Sequence, residues 1–249
     1  MAGMTHAIGR PSWVDIGTTD VTAAVAFYGE LFGWEYEDFG PDAGGYGQFR
    51  KDGKQVAGIG PATDEARGTS WAVYLATDDA AATAAKVEAN GGQTILAPMD
   101  VMGMGSMAVF TDPAGAFFSV WQAGRHVGAE MLNEPGSLGW AELYTPDVAA
   151  IKPFYAAVFG LEYEEMDMRG EEPYTIVSAG GQQIAGFFAP PGGSDMPSYW
   201  MPYFRVENAD AGADHAVRLG ASETLRTDYP NGRLAILTDP QGGSFGILT

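Results

Sequence analysis

The 249-residue chain is predicted to be an α+β protein built as two tandem βαβββ-type modules. Three observations carry that prediction. The chain aligns on itself: Trp13–Phe39 and Trp140–Met166 share 12 of 27 positions at an offset of 127. Within each copy, two-residue alternation gives way to 3.6-residue spacing and back again. A Thr-Asp-Pro-x-Gly turn, at Thr111 and again at Thr238, precedes the last apolar run of each copy. Modules over 9–122 and 136–249 follow, with 123–135, holding Gly124, Gly128, Asn133 and Pro135, as the linker.

Each element has a local cause. Trp13–Thr18 alternates as a strand. Asp20 is placed to cap a helix whose apolar residues Val21, Ala24, Val25, Tyr28, Leu31 and Phe32 share a face, and Gly33 ends it. Two strands of a hairpin flank Arg50–Gly53, and a strand follows at Trp71–Thr77. A second helix spans Asp79–Asn90 and stops at Gly91-Gly92; strands at Met107–Phe110 and Phe117–Gln122 complete the module. The second copy repeats this pattern with Asp147 as cap. Pro153 lies deep enough to kink or shorten its helix. The 35 glycines, about twice the usual share, are dispersed and predict many tight turns.

Composition restricts function. Thirteen Lys and Arg against 32 Asp and Glu give a net charge of −19, which repels a phosphate backbone or an anionic bilayer and argues against nucleic-acid and membrane partners. No Cys means no disulfide, thiolate metal site or thiol nucleophile. No apolar run reads as a signal peptide or a membrane span, so a cytoplasmic location is expected. His6, His126 and His215 share no ligand spacing.

Asp20 with Phe27-Tyr28 and Asp112-Pro-Ala-Gly115, repeated as Asp147 with Phe154-Tyr155 and Asp239-Pro-Gln-Gly242, resemble the vicinal oxygen chelate superfamily. That superfamily comprises the glyoxalases, bleomycin-resistance proteins and extradiol dioxygenases; the doubled pattern is similar to its two-module, glyoxalase-like actinobacterial subgroup. The resemblance implies curved mixed sheets with helices on the outer face, paired to enclose a ligand cleft. It also places metal ligands at positions that here read Trp13, Ser119, Trp140 and Gly246, with Ala72 and Met201 at the third-strand position. None is a usual ligand, so neither metal nor other cofactor is expected.

Within that cleft, strand alternation turns Trp13 and Asp15 inward, with Trp140, Glu142 and Tyr144 in the equivalent places. Phe117, Ser119 and Trp121 join them from the last strand of the first copy. If Phe204 faces the helices, Tyr203 and Arg205 face the cleft, and Tyr74 follows by repeat. Met104 belongs to a Met-rich run, Met99–Met107, placed as a loop over the cleft. Asp15 and Glu142 require partners if buried: Arg205, Arg10, a backbone donor or a bound cation. The expected function is binding of a small aromatic or apolar, optionally cationic, molecule without metal, in antibiotic resistance or natural-product metabolism. The rival reading is an enzyme. It would be metal-free, with Asp15 or Glu142 working with Tyr203 or Tyr74 in proton transfer, or metal-dependent with atypical ligands. The partner expected is a small molecule, and the chain is expected to be a monomer with intrachain module pairing or a homodimer.

Overall fold

The computed structural model describes residues 6–63, 68–168, 173–190 and 197–249. The first copy contains β1 (Pro11–Thr18), α1 (Val21–Phe32), β2 (Glu35–Asp38), β3 (Gly47–Lys51), β4 (Lys54–Pro61), β5 (Ser70–Thr77), α2 (Ala80–Ala89), β6 (Gln93–Asp100), β7 (Gly105–Thr111) and β8 (Phe117–Ala123). The second contains β9 (Leu138–Tyr144), α3 (Val148–Phe159), β10 (Glu162–Met166), β11 (Tyr174–Ala179), β12 (Gln182–Phe188), β13 (Tyr199–Arg205), α4 (Ala209–Arg218), β14 (Ser222–Tyr229), β15 (Gly232–Thr238) and β16 (Ser244–Leu248). Each copy forms one eight-stranded mixed sheet, in the orders β2-β3-β4-β1-β5-β8-β7-β6 and β10-β11-β12-β9-β13-β16-β15-β14. The α+β class and the duplication are therefore as expected, but each copy contains the βαβββ unit twice. Strands β2 and β6 escaped the sequence reading because both are largely solvent-exposed and neither alternates cleanly. Among the described residues no helix is long and apolar enough to cross a membrane.

The Met-rich run is not a loop. Met99 lies in β6 and Met107 in β7, paired to each other, and only Val101–Met104 turn between the strands. The Met104 carbonyl accepts the amides of Gly124 and His126, which ties the turn to the chain after β8. Pro153 neither breaks nor shortens α3. The carbonyl it deprives of an amide, on Ala149, is in the exposed first turn, while Phe154, Tyr155, Val158 and Phe159 anchor the helix by burial.

Compactness divides the chain differently from the repeat. One unit comprises Met1–Ser12, Val73–Gly128 and Trp140–Trp200; the other comprises Trp13–Ala72, Ala129–Gly139 and Met201–Thr249. Each unit thus joins half of one copy to half of the other. In the second unit, α1 buries Tyr28 against Trp71 and against Phe245 of β16, with ring centroids 5.3 and 5.6 Å away. In the first unit, Tyr155 of α3 meets Phe118 of β8 at 5.7 Å and Trp200 at 5.8 Å.

The motif residues explain this exchange. Asp20 and Asp147 cap their helices by accepting from Ala23 and Ala150 amides at 2.9 Å, and Gly33 and Gly160 end them in the left-handed region. The Tyr28 hydroxyl donates to buried Asp239 at 2.7 Å and accepts from the Trp71 indole at 3.1 Å. Tyr155 does the same with Asp112 at 3.0 Å and Trp200 at 2.8 Å. Each tyrosine of a Phe-Tyr pair therefore locks onto the Asp-Pro turn of the opposite copy. Burial, and then the carboxylate, push both hydroxyls well above the usual tyrosine range, so they stay protonated donors. Burial also raises the Asp112 carboxyl, despite hydrogen bonds from Ala116, Tyr155, Ala114 and Gly115 that favour its charge.

Candidate ligand-binding site

Two related constellations form on the sheet faces turned away from the helices, one in each unit. In the second unit, Phe49 and Ile59 point toward α1, so Asp15 with its ladder partner Gly58, and Gln48 beside it, take the other face. The Trp13 indole donates to Asp15 Oδ1 at 2.6 Å, and the Tyr46 hydroxyl donates to the same oxygen at 3.0 Å. Gly58 makes this possible: a Cβ there would collide with the Asp15 carboxylate and the Tyr46 hydroxyl.

The first unit repeats the design with Glu142 across from Gly186. Glu142 is buried and accepts from Tyr174 on Oε1 at 2.6 Å and from Tyr144 on Oε2 at 2.9 Å. The Trp140 indole donates to the Tyr174 hydroxyl at 2.8 Å rather than to the carboxylate, which the longer Glu side chain carries further from the strand. A Cβ at Gly186 would collide with the Tyr174 hydroxyl. Tyr144 also stacks on Tyr199 with centroids 5.0 Å apart and planes at 3°. Tyr46 and Tyr174 are pushed well above the usual range by burial and then by Asp15 and Glu142; Tyr199 is raised by burial and by Glu142. The Tyr46 and Tyr174 phenols are therefore protonated donors to the two carboxylates at neutral pH.

The other predicted residues are placed as follows. Tyr74, buried, pairs with Ser119, also buried, and Phe117 and Trp121 share that face because Phe118 turns toward α3. Trp121 donates to the His126 carbonyl at 2.9 Å, and Phe117 is exposed at the start of β8. Tyr203 is buried across its ladder partner Gly246, opposite in face to Phe204, which packs on Phe32 and Trp71. Arg205 follows on the Tyr203 face and has no carboxylate within 4.0 Å among the described residues, and Arg10 bonds to Gln182 at 3.2 Å. The carboxylate donors seen are thus phenols and an indole, not the two arginines the sequence offered. Met104 is a turn residue, half-buried.

Sequence reasoning missed Tyr46, Tyr174 and Tyr199. The signal for the first two was present: Tyr46 and Tyr174 are separated by 128, as are Gly58 and Gly186. The inherited ligand positions do not fit a divalent metal. The Trp13 and Trp140 indoles are committed as donors, Gly246 lies under the Tyr203 ring, and Ser119 supplies one hydroxyl. Among the described residues no three His, Cys, Asp or Glu converge to hold an ion.

The model of the Glyoxalase/Bleomycin resistance protein/Dioxygenase superfamily matches residues 10–120, and that of the Glyoxalase-like domain matches 140–248. The chain belongs to this superfamily. Its relatives include "Putative glyoxylase CFP32" of Mycobacterium tuberculosis, 40% identical with 96% of this chain and 94% of the relative covered. "Anthracycline biosynthesis protein DnrV" of Streptomyces peucetius is also 40% identical, covering 96% of this chain and 93% of that protein. Among solved structures, the Mn(II)-bound glyoxalase from Novosphingobium aromaticivorans superposes with a TM-score of 0.68 at 18% identity, over 97% of this chain and 82% of that one. The superfamily fold is thus shared with a metal enzyme, while the residues at the inherited positions are this chain's own.

Proposed function

We propose that this superfamily member binds a planar aromatic natural product carrying an amine, without metal, at the Glu142 face of the first unit. The observation that carries the reading is the buried Glu142 carboxylate, fixed by one tyrosyl donor on each oxygen beside the parallel Tyr144–Tyr199 pair. A parallel aromatic pair offers stacking surface, and a carboxylate beside it attracts a cationic group. The likeness to an anthracycline biosynthesis protein supports a polycyclic ligand of that kind. Asp15, with Trp13 and Tyr46, offers the same chemistry in the second unit.

The test is calorimetric titration with an aminosugar-bearing anthracycline and with its aglycone. Glu142→Gln should weaken the glycoside about tenfold, near 1.4 kcal/mol, and leave the aglycone unchanged, whereas Tyr199→Ala should weaken both. Absence of saturable binding would count against the reading, and so would equal loss for both ligands in Glu142→Gln. A stoichiometric divalent metal in protein purified without chelators would overturn the metal-free part. An enzymatic role is the second reading, favoured by membership of a superfamily whose model description includes dioxygenases. Turnover of the bound compound that is lost in Glu142→Gln and Asp15→Asn would establish it.

A further inference from the structure

The two copies differ in charge at Arg205, on the Tyr203 face of the second unit. By the repeat, Arg205 stands where the first copy has Ala76, Leu248 where it has Trp121, and Gly139 where it has Ser12. In the first unit the Trp121 ring closes that end of the sheet, lying over Gly105 and bonded to the His126 carbonyl. In the second unit Leu248 is smaller, and the Arg205 side chain runs across Gly139 instead. A Cβ at Gly139 would stand 2.8 Å from Arg205 Cγ, so the glycine is what lets the arginine lie there.

The backbone of Arg205 is fixed on both sides: its amide donates to Ser137 at 2.9 Å and its carbonyl accepts from Gly136 at 2.8 Å. Among the described residues its Nε is nevertheless buried without a hydrogen-bond partner. The chain has 32 carboxylates, and the neighbouring arginines of this unit are saturated with them: Arg226 by Asp210, Asp214 and Glu223, and Arg233 by Asp210 and Asp228. Exposed lysines of the chain can be solvated by water, but a buried guanidinium N–H cannot. An unsatisfied, desolvated donor is destabilising, and such costs persist where a ligand group supplies the missing acceptor. The same face holds Tyr203 on β13, Leu248 on β16, and Leu234 and Ile236 on β15. The Tyr229 hydroxyl, close enough to feel the Arg205 charge, is turned to the Thr249 carbonyl at 2.7 Å.

We propose that Arg205 anchors the oxyanion of an apolar small acid, a carboxylate on an aromatic or alkyl body, against Tyr203, Leu234, Ile236 and Leu248. The guanidinium fork matches a carboxylate, and its partial burial strengthens a charge-assisted bond. This site lies in the second unit, prefers the opposite charge to the Glu142 face, and stands or falls independently of it.

Titrating 2-naphthoate and its neutral isostere 2-naphthamide into the full chain tests the assignment. Wild type should bind the acid about tenfold more tightly than the amide. Arg205→Met and Arg205→Gln should erase that preference while leaving the amide affinity within about twofold. Arg205→Lys should retain part of it. Arg205→Met should also melt no lower than wild type, because it removes an unsatisfied buried donor; Arg205→Gln supplies the affinity readout should the Met variant not fold. Equal binding of acid and amide, no saturable binding of the acid, or a preference that survives both substitutions would overturn the proposal.

Discussion

Replacing Tyr28 by Phe removes one oxygen atom and, with it, two hydrogen bonds, one of which joins the copies. The hydroxyl donates to a carboxylate that is 4% exposed and accepts from an indole that is 8% exposed. A hydrogen bond to a charged group contributes about 1.5–3 kcal/mol, and an indole N–H stranded in the core adds a penalty of about 1 kcal/mol or more. Asp239 keeps the Gln241 and Gly243 amides at 2.8 Å, so its turn survives and the loss is confined to the lock. The expected destabilisation is about 3 kcal/mol, which for a chain of this length lowers the melting temperature by about 6–12 °C. Urea unfolding followed by tryptophan fluorescence measures it directly. Asp239→Asn should soften the effect in the double variant, since the stranded charge is gone, and the cycle should show a coupling above about 1 kcal/mol. A shift below about 2 °C, or strict additivity, would mean that the Tyr28–Asp239 bond does not hold the second unit together.

Two further outcomes follow from the same geometry. Tyr28, Tyr46, Tyr155 and Tyr174 titrate above the ordinary tyrosine value in the folded chain, so the folded state holds their protons more tightly than the unfolded one. Their stabilising contribution is therefore complete below about pH 10 and lost as pH rises beyond it, by up to about 1.4 kcal/mol per unit for each group. Urea midpoints across that range should fall, more shallowly in Tyr28→Phe and Tyr155→Phe; midpoints that stay level would contradict the assignment. Gly58→Ala and Gly186→Ala should force the carboxylate–tyrosine pairs apart, at about 1–3 kcal/mol, and alter the near-ultraviolet dichroism of Trp13 and Trp140. Spectra identical to wild type would show that the side chains over these glycines have room to spare.

What could be read in the sequence divides along physical lines. Helices α1 and α3 were legible because caps, spacing and stop signals are local, and the duplication because many residues repeat at one offset. Strand β6 was not, since Ile95, Leu96 and Met99 are all exposed and leave no one-sided pattern. The excess of glycine was read as turns. Among the described residues seventeen glycines do have positive φ, but Gly58, Gly139, Gly186 and Gly246 lie in strands beneath the side chains that matter, and only a cross-strand neighbour reveals that. Asp15 and Glu142 were found from alternation, whereas the donors Tyr46 and Tyr174 lie 31 and 32 residues away in sequence.

The Phe-Tyr and Asp-Pro motifs, read in a single copy, mark only the family resemblance. Across two copies they become structural, because each tyrosine closes on the aspartate of the other copy. A lock of this kind fixes the helix side of every sheet and leaves the opposite face free to change. It is on that free face that the copies have diverged, with Gly17 against Tyr144, Ala76 against Arg205 and Trp121 against Leu248. Had the duplicated halves served identical sites, these positions would carry the same demands as Trp13 and Trp140, which did not change. The divergence therefore argues that the second unit, besides the Asp15 carboxylate held by Trp13 and Tyr46, carries an arginine among aliphatic residues that the first unit lacks.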